Sequence, residues 1–186
     1  RRVVFGLGHL AGAVSDYLES NPPEDLEIVS VIEKNQLGTG GAIANVRSEI
    51  RSNPVLIMNG DSFVDANLCE FVELHARDGA AASILCTEVS DVSRYGAVKL
   101  DERNRIVAFL EKGENAGAGY INAGVYLFDL EVLDEISNAG PSLEHDFFQK
   151  QPRGRLHALS GNYTFLDIGT PKDLARASEV LGKYYF

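Results

Sequence analysis

Two carboxylates far apart in this chain stand in matching surroundings. Asp61 follows the apolar run Val55 to Met58 within PVLIMNGDSFVD (54–65), and Asp167 follows the run Tyr163 to Leu166 within FLDIGTP (165–171); each has a glycine close by. In open α/β sheets ligands gather beyond the carboxyl ends of the strands, and glycine lets another group come near the backbone. A carboxylate so placed suits a hydrated Mg2+. Two of them, converging from neighbouring strands, suit the metal that accompanies a nucleotide phosphate. Each aspartate can also be read as a turn residue, Asp167 helping to cap the helix that follows. It is the pair that points to chemistry.

Other polar positions invite a similar reading. Leu37-Gly38-Thr39-Gly40-Gly41-Ala42 is a glycine-rich loop running into a helix, where a flat base or a phosphate could approach the backbone and meet free N–H groups. No Gly-Lys-Ser/Thr follows, so it is not a Walker loop, and a flexible connection is the plain alternative. Glu111 and Lys112 end a strand, and Asn122 lies inside one between Ile121 and Ala123. Burying an amide unpaired costs about 1–3 kcal/mol, so Asn122 needs a partner. Sugar hydroxyls would suit all three residues, and an ion pair with a cross-strand hydrogen bond would serve equally. Gly6-Leu7-Gly8-His9-Leu10-Ala11-Gly12, with Glu33 downstream, imitates a dinucleotide fingerprint but has one residue too many between its last two glycines.

The elements that must carry these residues follow from apolar spacing. Val3–Phe5, Leu26–Ile32 and Val55–Met58 read as strands, the last too short for a helix and buried on both faces. Helices fall between them, one with a face of Leu10, Val14, Tyr17 and Leu18, and one from Gly41 with Ile43, Val46 and Ile50. Asn67 and Glu70 form a capping box opening a helix that Gly79 closes, its face Leu68, Phe71, Val72 and His75. This alternation predicts a mostly parallel sheet wrapped by helices. After the strand Ala81–Thr87 come Ala97–Leu100, Ile106–Glu111 and Tyr120–Phe128 in quick succession, which predicts antiparallel additions. Helices over Leu130–Ile136 and Leu143–Lys150 precede strands Leu156–Leu159 and Tyr163–Leu166. Thr170 caps and Pro171 opens a last helix facing the core with Leu174, Ala177 and Leu181. Gly113–Gly119 alone reads as flexible.

Composition limits the partners. The 186 residues, 45% hydrophobic, suit one domain. With 17 basic against 27 acidic residues and a net charge of −10, a nucleic-acid or anionic-membrane surface is not expected. Cys69 and Cys86 have no metal-like spacing and read as buried thiols in a reducing compartment. No apolar run reaches membrane-spanning length and Arg1-Arg2 opens no convincing signal peptide, so a cytoplasmic protein is expected.

Taken in order, LGTGGA (37–42), NGDS (59–62), RYGAVKLDE (94–102), FLEKG (109–113), INAGVYLF (121–128) and FLDIGTP (165–171) resemble the sugar-1-phosphate nucleotidyltransferases, or nucleotide-sugar pyrophosphorylases. With SLEHDFF, the set looks most like their heptose-1-phosphate or mannose-1-phosphate guanylyltransferase branch. The resemblance implies a Rossmann-like three-layer α/β/α fold forming a single domain over 1–186. It also implies transfer of a nucleotidyl group to a sugar 1-phosphate with loss of pyrophosphate, and Mg2+ as cofactor. Carried across, Leu37, Gly38 and Thr39 would border the base and Gly60 and Asp61 the nucleoside and metal. Gly96, Glu111, Lys112 and Asn122 would hold the sugar phosphate, and Asp167 would be the second metal carboxylate. Asp61, Lys112 and Asp167 would thus be catalytic. Glu33 matches the position that reads the base edge, where a carboxylate can accept from N1–H and the 2-amino group of guanine, hence GTP. A homo-oligomer is compatible with the resemblance.

The family's opening strand, G-x-G-T-R-L loop and Pro-Lys-Pro segment have no match in these residues. The resemblance therefore implies an activity of the intact parent, with these 186 residues alone inactive or nearly so. Rival expectations are a regulatory subunit that binds sugar nucleotides, a family member using a pyrimidine nucleotide, a metal-dependent glycosyltransferase, and an NAD(P)-binding domain.

Overall fold

Apolar runs separated by glycine, proline and asparagine become an α/β chain in the computed structural model, which describes residues 1–113 and 116–184. In order the elements are β1 (Arg2–Leu7), α1 (Ala11–Ser20), β2 (Glu27–Ile32), α2 (Gly38–Val46), β3 (Val55–Met58), β4 (Ser62–Val64), α3 (Leu68–Asp78), β5 (Ala82–Val89), β6 (Ala97–Leu100), β7 (Ile106–Leu110), β8 (Gly119–Phe128), α4 (Leu130–Ala139), β9 (His157–Gly161), β10 (Phe165–Asp167) and α5 (Pro171–Leu181). The chain falls into two compact units, one of Arg1–Val55 with Asp129–Lys150, the other of Leu56–Phe128 with Gln151–Phe186.

In the first unit β1 and β2 pair in parallel, Val4 beside Val29. The predicted apolar face of α1 is covered only in part: Val14 and Leu18 are half-buried, while Leu10 and Tyr17 are exposed and no residue of the helix is fully buried. Spacing shows that a helix has an apolar side, not that anything packs on it. α2 begins three residues before the predicted Gly41, and it packs against α4, which buries Val132, Leu133 and Ile136. The helix predicted over 143–150 is instead a π turn, Leu143–Phe147, followed by a 3-10 turn, Phe148–Lys150. Its buried side chains are Leu143, Phe147 and Phe148, a spacing that a wider turn turns inward more easily than an α-helix.

The second unit is built on β5 and β8. β5 pairs antiparallel with β8 on one side and in parallel with β9 on the other, so side chains 82–87 are all buried. β8 also borders β6 and β3, and β6 turns back into β7 at the predicted Asp101–Asn104 hairpin. Phe71, Leu85, Ala123, Val125, Leu127 and Leu159 form one core cluster. Burying a side chain the size of Phe71 contributes about 2–3 kcal/mol. The capping signals act as read: Asn67 Oδ1 accepts the Cys69 and Glu70 N–H groups, and Gly79 ends α3 at φ 59°.

Four readings need correction here. β3 is not buried on both faces; β8 is its paired neighbour and Met58 is 52% exposed. Cys69 is exposed, whereas burial pushes the Cys86 thiol up to about 12. In α3, Phe71 and His75 are buried but Val72 is exposed. α5 has its predicted Thr170 cap and Pro171, yet Leu174 is 56% exposed while Asp173 is 4% exposed. The segment Gly113–Gly119 includes 114–115, outside the described residues.

Candidate active site

Asp61 and Asp167 are brought together, though not by the strand expected. β3 does not lie beside β10. The three-residue strand β4, beginning one residue after Asp61, pairs antiparallel with β10 so that Ser62 faces Asp167. The ladder continues one step further, Ile168 N–H donating to the Asp61 carbonyl at 2.9 Å. Two acids more than a hundred residues apart therefore leave one short ribbon at the same end. Asp167 Oδ1 accepts the Gly169 N–H at 2.8 Å, which turns the chain into α5, and Ser62 Oγ lies 3.4 Å from Asp61 Oδ1. An added Cβ at Gly60 would meet nothing within 4 Å, so the space over this turn is open.

The turn bearing Asp61 is seated on β8. Asn59 N–H donates to the Gly124 carbonyl at 2.8 Å, and Gly124 has φ 74°. Around it β8 bulges: Ile84 faces Tyr126 and Cys86 faces Asn122, leaving three β8 residues opposite Leu85 alone. Asn122 serves this bulge. Its Oδ1 accepts the Gly124 N–H at 2.9 Å and its Nδ2 donates to Tyr126 Oη at 3.0 Å. The strand amide thus finds partners within its own strand, with one hydrogen and one lone pair over.

Gly96 and Glu111 lie just beyond the pair Ala97–Leu110 that ends the β6–β7 ladder, and across β6–β8 the paired residues are Val98 and Tyr120, two residues before Asn122. Gly96 has to be glycine: φ is 81° and an added Cβ would be 2.6 Å from the Leu110 carbonyl oxygen. Gly113 N–H donates to the Ser93 carbonyl at 3.1 Å, holding exposed Glu111 and Lys112 against this turn.

Reasoning from sequence passed over Arg94 and Asp173. Arg94 Nη2 lies 2.7 Å from Asp173 Oδ2, and Thr170 Oγ1 donates to the same carboxylate oxygen at 2.8 Å while accepting the Asp173 N–H at 3.2 Å. The Arg94 bond, then the Thr170 bond, hold the Asp173 carboxyl below the usual range. Asp173, foremost, and Asp167 more weakly raise the Arg94 pKa. The spacing Thr170-x-x-Asp173 is itself a capping-box signal, and reading it would have flagged Asp173.

The residues expected to border the base, Glu33 and Leu37 to Thr39, lie in the first unit. Glu33 N–H donates to the Leu7 carbonyl at 2.8 Å, and its Oε2 accepts the Leu37 N–H at 3.3 Å. A Cβ on Gly8 would sit 3.3 Å from that same oxygen, so the glycine of the imitation fingerprint makes room for Glu33. The glycine-rich stretch is not a loop with outward N–H groups. Gly38, Thr39 and Gly40 are in α2, and the Gly40 and Gly41 N–H groups point to the Pro141 carbonyl, at 2.8 and 3.4 Å. A Cβ on Gly38 would be 2.5 Å from that carbonyl oxygen. Thr39 Oγ1 donates to Glu144 Oε2 and accepts the Leu143 N–H, both at 2.9 Å. These glycines permit close backbone packing on the 140–143 turn.

Among the described residues no group of three or more His, Cys, Asp or Glu side chains could hold a metal. Mg2+ commonly takes one or two carboxylates and fills its octahedron with water and substrate phosphates, so two aspartates at an open turn fit it. No helix of the described residues is long and apolar enough to cross a membrane.

The model of the nucleotidyl transferase family matches residues 9–183, and the chain belongs to that family. It is similar to the mannose-1-phosphate guanylyltransferase of Mycobacterium tuberculosis, 34% identical over 157 residues, 82% of this chain and 44% of that protein. HddC from Yersinia pseudotuberculosis superposes with a TM-score of 0.84 at 30% identity, over 99% of this chain and 79% of that one. The same protein complexed with GMP-PN gives 0.83 at 29% identity, over 98% and 78%. The chain spans about half the length of the curated relatives it matches. Its fold is the mixed, Rossmann-like α/β fold of nucleotidyltransferases, as the motifs implied.

Proposed function

We propose that the protein is a sugar-1-phosphate guanylyltransferase, with 1–186 belonging to one nucleotidyltransferase domain. A phosphate oxygen of the sugar 1-phosphate attacks the α-phosphorus of GTP, the new P–O–P link forms, and pyrophosphate leaves. The observation that carries this reading is the junction of Asp61 and Asp167 at one end of the β4–β10 ribbon. It is supported by the family match, which runs across both units, and by relatives named for mannose 1-phosphate guanylyl transfer or complexed with GMP-PN.

The roles follow from chemistry. The nucleophile is already an anion, so no general base is required, and the protein's task is to align two phosphates that repel each other. Gly96, Glu111 and Asn122, carried on or beside the adjoining strands β6, β7 and β8, would hold the sugar phosphate, and Lys112 would offer it a cation. Glu33 would accept from the guanine edge, beside Leu37, Gly38 and Thr39, with Gly60 against the nucleoside. Mg2+ held by Asp61 and Asp167 would supply positive charge against the phosphates. The buried Cys86 thiol agrees with a cytoplasmic setting.

The test is pyrophosphate release by the full-length protein with GTP, UTP, dTTP and CTP, each with mannose 1-phosphate and heptose 1-phosphate. GTP should be preferred. A clear pyrimidine preference overturns the base assignment, and GTP–Mg2+ binding without turnover replaces the enzyme by a regulatory subunit.

A further inference from the structure

The second unit ties the strand-to-helix turn carrying Asp167 to the turn carrying Gly96 at two independent points. One is apolar: the Tyr95 ring meets Phe165, two residues before Asp167, edge-on at 5.7 Å between centroids. The other is ionic, the Arg94–Asp173 pair of 2.7 Å. Asp173 is 4% exposed, although it lies on the first turn of a helix whose other early residues, Lys172, Leu174 and Ala175, are exposed. The pair is shielded on one side only, since the Arg94 side chain is 53% exposed, and Asp173 Oδ1 also lies 3.6 Å from Arg176 Nη1, so what the Arg94 contact adds is the tie to the turn. Arg94 also lies over the Tyr95 ring, 5.4 Å from its centroid, a second contact of the guanidinium on the same turn. Downstream, the Tyr95 and Gly96 N–H groups both point to the Val92 carbonyl at 3.0 Å, and the turn abuts Leu110–Lys112 through Gly96. α5 is thereby linked, contact by contact, to Glu111 and Lys112.

We infer that Asp173 is a positioning residue: through Arg94 it holds the Tyr95–Gly96 turn, and with it the sugar-phosphate side of the site, in place relative to Asp167. This rests on the functional reading above for what the turn binds, but not for the linkage itself. Asp173 touches neither substrate nor metal in this scheme. Its effect is to keep Gly96 and the 111–112 segment from drifting away from the carboxylate that α5 follows.

The test uses the full-length protein with Asp173→Asn, which keeps the side-chain shape and removes the charge. KM for the sugar 1-phosphate should rise about tenfold, with KM for GTP changed by less than about twofold. Arg94→Gln should do the same, Arg94→Lys should recover most of the loss, and the Asp173→Asn/Arg94→Gln double variant should be no worse than either single one. Asp101→Ala is the control: it breaks an ion pair at the far turn of the β6–β7 hairpin and should lower stability while leaving that KM alone. A second readout needs no turnover. Amide hydrogen exchange over 93–96 and 110–113 should quicken in Asp173→Asn and not in Asp101→Ala. With an active wild type, an unchanged sugar-phosphate KM or strictly additive singles overturns the inference. If the wild type releases no pyrophosphate the functional reading fails instead, and exchange decides the linkage: unaltered exchange over both segments overturns it.

Discussion

Gly124 and Asn59 are in mutual contact that no larger residue at 124 would allow. A Cβ on Gly124 would lie 2.7 Å from Asn59 Nδ2, and the backbone there is left-handed at φ 74°. The Asn59 N–H is bonded to the Gly124 carbonyl, so the turn that delivers Asp61 rests on the bulge of β8.

Gly124→Ala is therefore expected to cost about 1–3 kcal/mol, from the left-handed backbone and from the side chain it displaces. Asn59→Ala in the same chain should recover part of that loss by removing the obstructing amide. Urea midpoints of the wild type, both singles and the double variant check this; a double variant no more stable than Gly124→Ala would contradict the contact.

On the proposed assignment, Asp61→Asn and Asp167→Asn should each lower Mg2+-dependent nucleotidyl transfer by about two orders of magnitude or more, since each would remove a charge that holds the metal. The fold should persist, because Asn at 167 can still accept the Gly169 N–H through its side-chain oxygen. Initial rates across a Mg2+ titration, with circular dichroism as the control, provide the check. Wild-type rates in both variants would refute the assignment.

Asp101 gives a pH dependence of defined sign. Its carboxylate accepts the Arg105 and Arg103 N–H groups at 2.9 Å and pairs with the Arg105 guanidinium, bonds led by the Arg105 N–H that hold its pKa at about 2. The unfolded value is about 3.9. Because the folded value is the lower, the stabilisation is whole above about pH 4 and is lost as pH falls through about 2. The stability gap between wild type and Asp101→Asn should accordingly be largest near neutrality and close between about pH 4 and 2. Urea titrations at pH 7, 4 and 2.5 would show it; a gap constant across the series would count against the hairpin network.

The strands and caps were legible because their causes are local. Asn67, Gly79 and Thr170 act within one turn of themselves, and the run 82–87 announces a strand covered on both faces. What a face packs against was not legible. Leu174 and Tyr17 obey helical spacing yet stay exposed, and the buried member of α5 is an aspartate matched by an arginine 79 residues away. The site shows the same division. Asp61 and Asp167 could be suspected from their matching surroundings, but the element that joins them, β4, has three residues, too few to carry a period. The glycines at 38 and 40 were read as room for a base or a phosphate or as a flexible connection, whereas the group that approaches them is the backbone at 140–143, a hundred residues on.

The two units alternate along the polypeptide, and this has a consequence for synthesis. A ribosome releasing the chain from its amino end delivers β1, β2 and α2 well before α4, the helix that α2 packs against, which is translated only with 130–139. β4 waits longer still, until β10 emerges at 165–167. Nascent chains halted before that point carry Asp61 with its ribbon unformed, so the junction of Asp61 and Asp167 cannot exist until residue 167 has been released.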